Sequence, residues 1–158
     1  MGAQDQNIGD LLGLLAMANA AQGLRVEWDS LPLEGGTDAA YGTVRWRTIF
    51  DAEKTPGSSG MVVGIAEFAP NGTLLPHRHE PPEVYLGLEG EALVTIAGVP
   101  HRLGPGVALF VPGNAEHSTV AGPSGVRFLY VFPTDCFSEI HYEFSPTGIE
   151  HPLAKASE

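Results

Sequence analysis

Apolar and polar positions alternate in short blocks along most of the chain. Residues 43–49, Thr-Val-Arg-Trp-Arg-Thr-Ile, follow a period of two, the mark of a half-buried strand. Residues 61–68, 74–79, 83–88, 107–111, 118–121, 126–132 and 140–144 read as further strands. Residues 91–97 and 100–103 form a hairpin across Gly98. Turns at Pro56-Gly57-Ser58-Ser59-Gly60, Pro70-Asn71-Gly72 and Gly104-Pro105-Gly106 punctuate the series. Residues 25–28 suggest a short first strand, and 31–40, rich in Gly and Pro, a loop. One block has a different period. Ile8, Leu11, Leu12 and Leu15 recur at i, i+3, i+4 and i+7, which predicts an amphipathic helix over residues 1–24. Asp5 or Asn7 caps its start, Gly23 ends it, and its apolar stripe packs on the strands or on a second subunit. The pattern fades near Ser145, so residues 146–158 read as a tail. Many short strands with Gly and Pro turns predict an all-β barrel or sandwich over residues 25–145, in one domain.

Composition narrows the partners. The formal charge of -11 leaves no basic surface for phosphates, which argues against nucleic acid and against anionic membranes. The apolar run 11–18 is too short to cross a bilayer, and the segment before it carries Asp5 and Asp10 with no Lys or Arg, unlike a secretory leader. Cys136 is the single cysteine, so no intrachain disulfide forms. A cytoplasmic location is the default expectation. Sheet edges and the apolar helix suggest a homodimer.

The candidate chemistry sits in His77-Arg78-His79-Glu80-Pro81-Pro82-Glu83-Val84-Tyr85, answered by Pro112-Gly113-Asn114-Ala115-Glu116-His117. On an extended strand His77 and His79 leave the same face. Pro81-Pro82 excludes helix and bends the chain, after which Glu83 and Tyr85 share one side. His117, from another strand, completes a set of three imidazoles and a carboxylate around one divalent cation. Such donors suit Mn, Fe(II) or Ni, with Zn and Co also compatible. Four protein ligands leave one or two open positions on a five- or six-coordinate ion.

His-x-His-x3-Glu-x6-Gly, followed by Gly106-x5-Pro112-x4-His117, resembles the two motifs of the cupin family. Asn114 stands where the second motif usually has Gly, and Ala121 where it has Asn. The resemblance implies a single cupin barrel, a double-stranded β-helix or jelly roll, holding its metal through His77, His79, Glu83 and His117. A closer likeness runs through Val44-Arg45-Trp46-Arg47, Ser58-Ser59-Gly60, Ala66-Glu67-Phe68-Ala69-Pro70 and Phe132-Pro133-Thr134-Asp135-Cys136-Phe137-Ser138-Glu139, with Tyr142. These segments resemble the small single-domain cupin lyases of dimethylsulfoniopropionate (DMSP), over roughly residues 41–145. That resemblance implies β-elimination of DMSP to dimethyl sulfide and acrylate. It assigns Tyr85 as the base and Tyr142 as a second, assisting tyrosine. Trp46, Tyr41 and Phe68 are candidate aromatic contacts for the sulfonium. A cupin dioxygenase using Fe(II) and O2, and a non-catalytic small-molecule-binding cupin, are the competing readings.

Overall fold

A computed structural model describes residues 23–146. Nine strands form one curled sheet among the described residues: β1 (Glu34–Gly35), β2 (Arg45–Phe50), β3 (Val62–Phe68), β4 (Thr73–Arg78), β5 (Glu83–Ile96), β6 (Val99–Leu103), β7 (Ala108–Val111), β8 (His117–Phe132) and β9 (Glu143–Phe144). Strand order is β1-β2-β3-β8-β4-β9, and β5 runs along β8 while pairing β6 and β7 on its other side. The paired strands are all antiparallel. The all-β expectation therefore holds.

Long strands replace several pairs of short ones. β5 and β8 are each continuous where the sequence pattern predicts two strands. The reason in β5 is a change of register between Gly87 and Glu89, and again between Gly90 and Ala92. Such irregularities bend a strand without ending it. Gly90 supplies the left-handed φ of 67° that the bend requires. The first half of β5 can thus pair Val126–Val131 of β8, and its second half His117–Ala121.

Three expectations need correction. Residues 25–28 form no strand; a single 3-10 turn covers Trp28–Ser30, and the strand β1 lies in the stretch that reads as loop. Residues 25–28 instead belong to a segment crossing the outer surface. Arg127 lies 4.9 Å over the Trp28 ring, and Arg47 donates to the carbonyls of Asp29 and Leu31. Residues 140–144 retain only β9 as strand. The helix expected over 1–24 lies outside the described residues save its last two positions, which are coil, and the tail from 147 onward also lies outside them.

Side-chain alternation sorts the interior. Ala92, Val94 and Ile96 of β5 point into an apolar core with Phe68, Leu103, Val126 and Phe128. Each Val, Leu, Ile or Phe among them stabilises the fold by about 1.5–3 kcal/mol on burial. In the first half of β5 the inward positions are Glu83 and Tyr85, while the apolar Val84, Leu86 and Leu88 face outward, 36–38% exposed. One strand therefore builds core with one half and a polar site with the other.

Candidate metal centre and active site

The backbone fixes each histidine before any ion is considered. The Nδ1 atoms of His77, His79 and His117 lie 2.7, 2.8 and 2.9 Å from the carbonyl oxygens of Leu75, Pro81 and Ala115. A carbonyl only accepts, so each Nδ1 carries the proton. Each Nε2 is then a free lone pair when the ring is neutral. The three rings sit at the end of β4, just beyond it, and at the start of β8, where His77 pairs directly with His117. Their possible ligand atoms lie within 4.8 Å of one another.

Glu83 joins through its Oε2, which lies 3.4 Å from His79 Nε2 and 3.5 Å from His117 Nε2. These separations exceed a good hydrogen bond. Donors about 2.1 Å from a common metal stand about 3.0–3.4 Å apart at angles between square and tetrahedral, so the spacing is that of two ligands flanking a cation. His77, His79, Glu83 and His117 are at most 4% exposed. Their inward atoms, the three Nε2 and Glu83 Oε2, are buried without a hydrogen-bond partner among the described residues. Leaving them so would cost about 1–3 kcal/mol each, a sum comparable to the about 5–15 kcal/mol stability of a whole domain. A divalent cation removes that penalty, and the donor set fits one.

Charge states agree with this fit. Burial, helped by the neighbouring His117, lowers His77 to a pKa of about 3, so its ring is neutral at ordinary pH. Burial alone would raise the Glu83 carboxyl, but the imidazoles of His117 and His79 outweigh it and keep it ionised. Softness of the ligands selects neither Fe, Mn, Ni nor Zn.

The second motif departs from the usual cupin pattern at Asn114, and the backbone accommodates the residue there. Asn114 adopts a left-handed φ of 61°, a conformation that asparagine accepts better than most residues. Its N–H donates to the His79 carbonyl at 2.7 Å. The turn thereby ties one histidine's backbone to the segment that carries another.

Beside the four donors lies a cavity enclosing about 420 Å³ of atom-free space, including its mouth. Glu83 and Tyr85 form its polar wall. Trp46, Tyr41 and Tyr142 form an aromatic wall, as the sequence suggests, whereas Phe68 does not line it. Phe68 instead stacks behind Phe128, 5.6 Å between ring centroids. Tyr142 ties the cavity to the metal ligands: its ring stacks on His77 at 5.1 Å and meets His79 at 5.3 Å. Burial and the Glu83 charge raise the phenols of Tyr85 and Tyr142 well above their ordinary range, so both are neutral donors when no cation is near.

Two wall residues have no role among the expectations drawn from the sequence. Tyr130 faces Tyr85 across the β5–β8 ladder, and its buried hydroxyl has no partner. Its hydroxyl end lies over Gly64, where a Cβ would come within 2.2 Å of the hydroxyl. The alternation Val126-Phe128-Tyr130-Phe132 in β8 was the available signal for it. Phe137 also lines the cavity, from the loop after β8. Nothing in local sequence periodicity marks it, because the loop is positioned by distant contacts.

The comparisons with known proteins agree with this geometry. The family model for the cupin domain matches residues 64–132. The dimethylsulfoniopropionate lyase DddW of Ruegeria pomeroyi is 54% identical over 123 residues, covering 78% of this chain and 80% of the relative. Among solved structures, the polyketide cyclase RemF from Streptomyces resistomycificus aligns with a TM-score of 0.65 and 27% identity, over 78% of this chain and 87% of that one. A structure of the DMSP lyases RdDddP and RnDddQII aligns with a TM-score of 0.62 over 73% of this chain and 63% of that one; at 18% identity it bears on the fold alone. With strands, donor set and aromatic cavity all in agreement, the chain belongs to the cupin family, in the group of the small DMSP lyases.

Proposed function

We propose that the protein is a metal-dependent carbon–sulfur lyase that splits DMSP into dimethyl sulfide and acrylate. The observation carrying this reading is that a cluster of partnerless buried metal donors shares Glu83 with the wall of a cavity that also carries Tyr85, Tyr142 and further aromatic rings. The substrate has a carboxylate at one end and a sulfonium at the other, and the cavity offers a match for each. A cation held by His77, His79, Glu83 and His117 would supply positive charge that acidifies the C–H next to a bound carboxylate and favours ionisation of a nearby phenol. Fe(II), Mn(II) or Ni(II) is the reading for its identity, with Zn and Co compatible.

The chain's own residues do the rest. Trp46, Tyr41 and Tyr142 hold the sulfonium by cation–π attraction and exclude water around it. Tyr85, buried beside Glu83, is the base. Its phenolate oxygen takes the α-proton, the C–H electron pair becomes the new C=C bond, and the C–S pair leaves on sulfur as neutral dimethyl sulfide. Acrylate and a protonated Tyr85 remain. Tyr142, its ring packed on His77 and His79, is the second, assisting tyrosine. A homodimer and a cytoplasmic location belong to the same proposal, supported by the outward Val84, Leu86 and Phe110 and by the single Cys136.

The test is headspace detection of dimethyl sulfide from DMSP, with the protein metal-loaded and metal-stripped, in air and under argon. Product is expected only with metal and equally with or without oxygen. Tyr85→Phe should lose about a hundredfold or more in kcat, the usual scale of a positioned base, with metal content unchanged. A Tyr85→Phe variant with full activity would remove the base from this mechanism, and oxygen-dependent turnover would favour a dioxygenase.

A further inference from the structure

Asp51 is 1% exposed, forms no salt bridge among the described residues, and is not used by the proposed chemistry. Its carboxylate is cradled by backbone. Oδ1 accepts from the N–H of Glu53 at 2.8 Å and of Lys54 at 3.2 Å, and Oδ2 accepts from the N–H of Phe137 at 2.9 Å. The last bond spans 86 residues of sequence. Asp51 and Glu53 lie close to Cys136, but the two Asp51 oxygens are already engaged, so the cluster reads as a fastening and not as an ion site. Further bonds fasten the same loop: Ala52 N–H to the Asp135 carbonyl at 2.9 Å, Gly60 N–H to the Asp135 carboxylate at 2.6 Å, and Ser138 Oγ to Glu53 at 2.9 Å.

What the loop presents is Phe137. Its ring stacks near-parallel to Trp46, 6.2 Å between centroids and 19° between planes, and lies 6.0 Å from Tyr142. It lines the cavity while remaining partly exposed, which places it at the rim. A hydrocarbon face there, opposed to Tyr142 and continuous with Trp46, adds a wall for a diffuse cation.

We propose that Phe137 is a specificity-determining residue for the sulfonium end of the substrate, and that the buried Asp51 is its positioning residue, acting through the Phe137 N–H. The inference rests on the lyase reading for its substrate and on the loop geometry for its latch. Asp51→Asn keeps the shape but sets an amide donor against one of the N–H groups it must accept.

Two measurements separate the parts. Hydrogen exchange in Asp51→Asn should accelerate about tenfold or more over residues 133–140 beyond any change over residues 117–132, which report global stability; this needs no activity, and an equal change in both segments overturns the latch. In metal-loaded protein that releases dimethyl sulfide, Phe137→Leu and Asp51→Asn should each raise KM for DMSP about tenfold, the scale of one desolvated cation–π face, with kcat altered far less. Phe137→Tyr should restore KM. Inhibition by 4-methylpentanoate, an isostere whose branched end is uncharged, should change little in Phe137→Leu. Asp51→Asn should add almost nothing in the Phe137→Leu background. Equal loss of DMSP and isostere affinity, or additive effects, would reduce Asp51 and Phe137 to scaffolding. Absence of dimethyl sulfide from the wild-type protein would instead overturn the lyase reading, leaving the exchange result to decide the latch.

Discussion

Glu83 and Asp51 are both buried carboxylates in a nearly all-β chain, 4% and 1% exposed, and they serve opposite ends. Asp51 is saturated by three backbone N–H groups from two loops. Glu83 has an oxygen with no hydrogen-bond partner, aimed at imidazole nitrogens that also lack one. A buried charge must be compensated. Where the backbone does so, the carboxylate is a structural tie. Where it faces imidazole nitrogens that lack partners of their own, the whole donor set is one that a divalent cation would compensate.

The largest effect that could break this comparison is on metal binding. Glu83→Gln should weaken metal affinity more than about a hundredfold, since even outer partners of a ligand contribute about 10- to 100-fold. Elemental analysis after dialysis would measure it, and retained metal would contradict the assignment.

Acid should come next. The folded protein holds His77 neutral down to about pH 3, whereas the unfolded chain binds that proton below about 6.5. The unfolded state thus takes up more protons in that window, so metal-free protein should lose stability as pH falls from about 6.5 towards 3. Glu83 has the same sign: its lowered pKa contributes stability that disappears as the carboxylate is protonated. Denaturant melts of metal-free wild type and His77→Asn at several pH values would check this, with a flatter profile expected for the variant.

The smallest effect sharpens the other side of the comparison. Asp51→Asn should cost about 1–3 kcal/mol of stability by leaving a buried N–H unpaired. Loss of the same size with and without metal, at unchanged metal content, is the expected result. A stability loss appearing only in the metal-loaded form would tie Asp51 to the centre.

The alternation in residues 43–49 and 61–68, and the His-x-His and Glu83-x-Tyr85 spacings, needed only the period of a strand to be legible. They were enough to place His77, His79, Glu83, Tyr85 and His117 on inward faces. Residues 25–28 alternate equally well but form no strand, because they cross the outer surface under Arg127 instead of meeting a sheet edge. Phe68 looked like a cavity aromatic, but register sends it behind Phe128.

What the chain's pattern determined alone was local: strand periods, turn residues, and which donors leave a strand on the same side. What only the folded arrangement decided was non-local: the His77–His117 pairing, Tyr130 lying over Gly64, and Phe137 held by a carboxylate far away in sequence. The physical reason is that strand geometry fixes a side chain's direction from its immediate neighbours. Its partner is chosen by register, bulges and loop ties between segments whose separation along the chain carries no periodic signal.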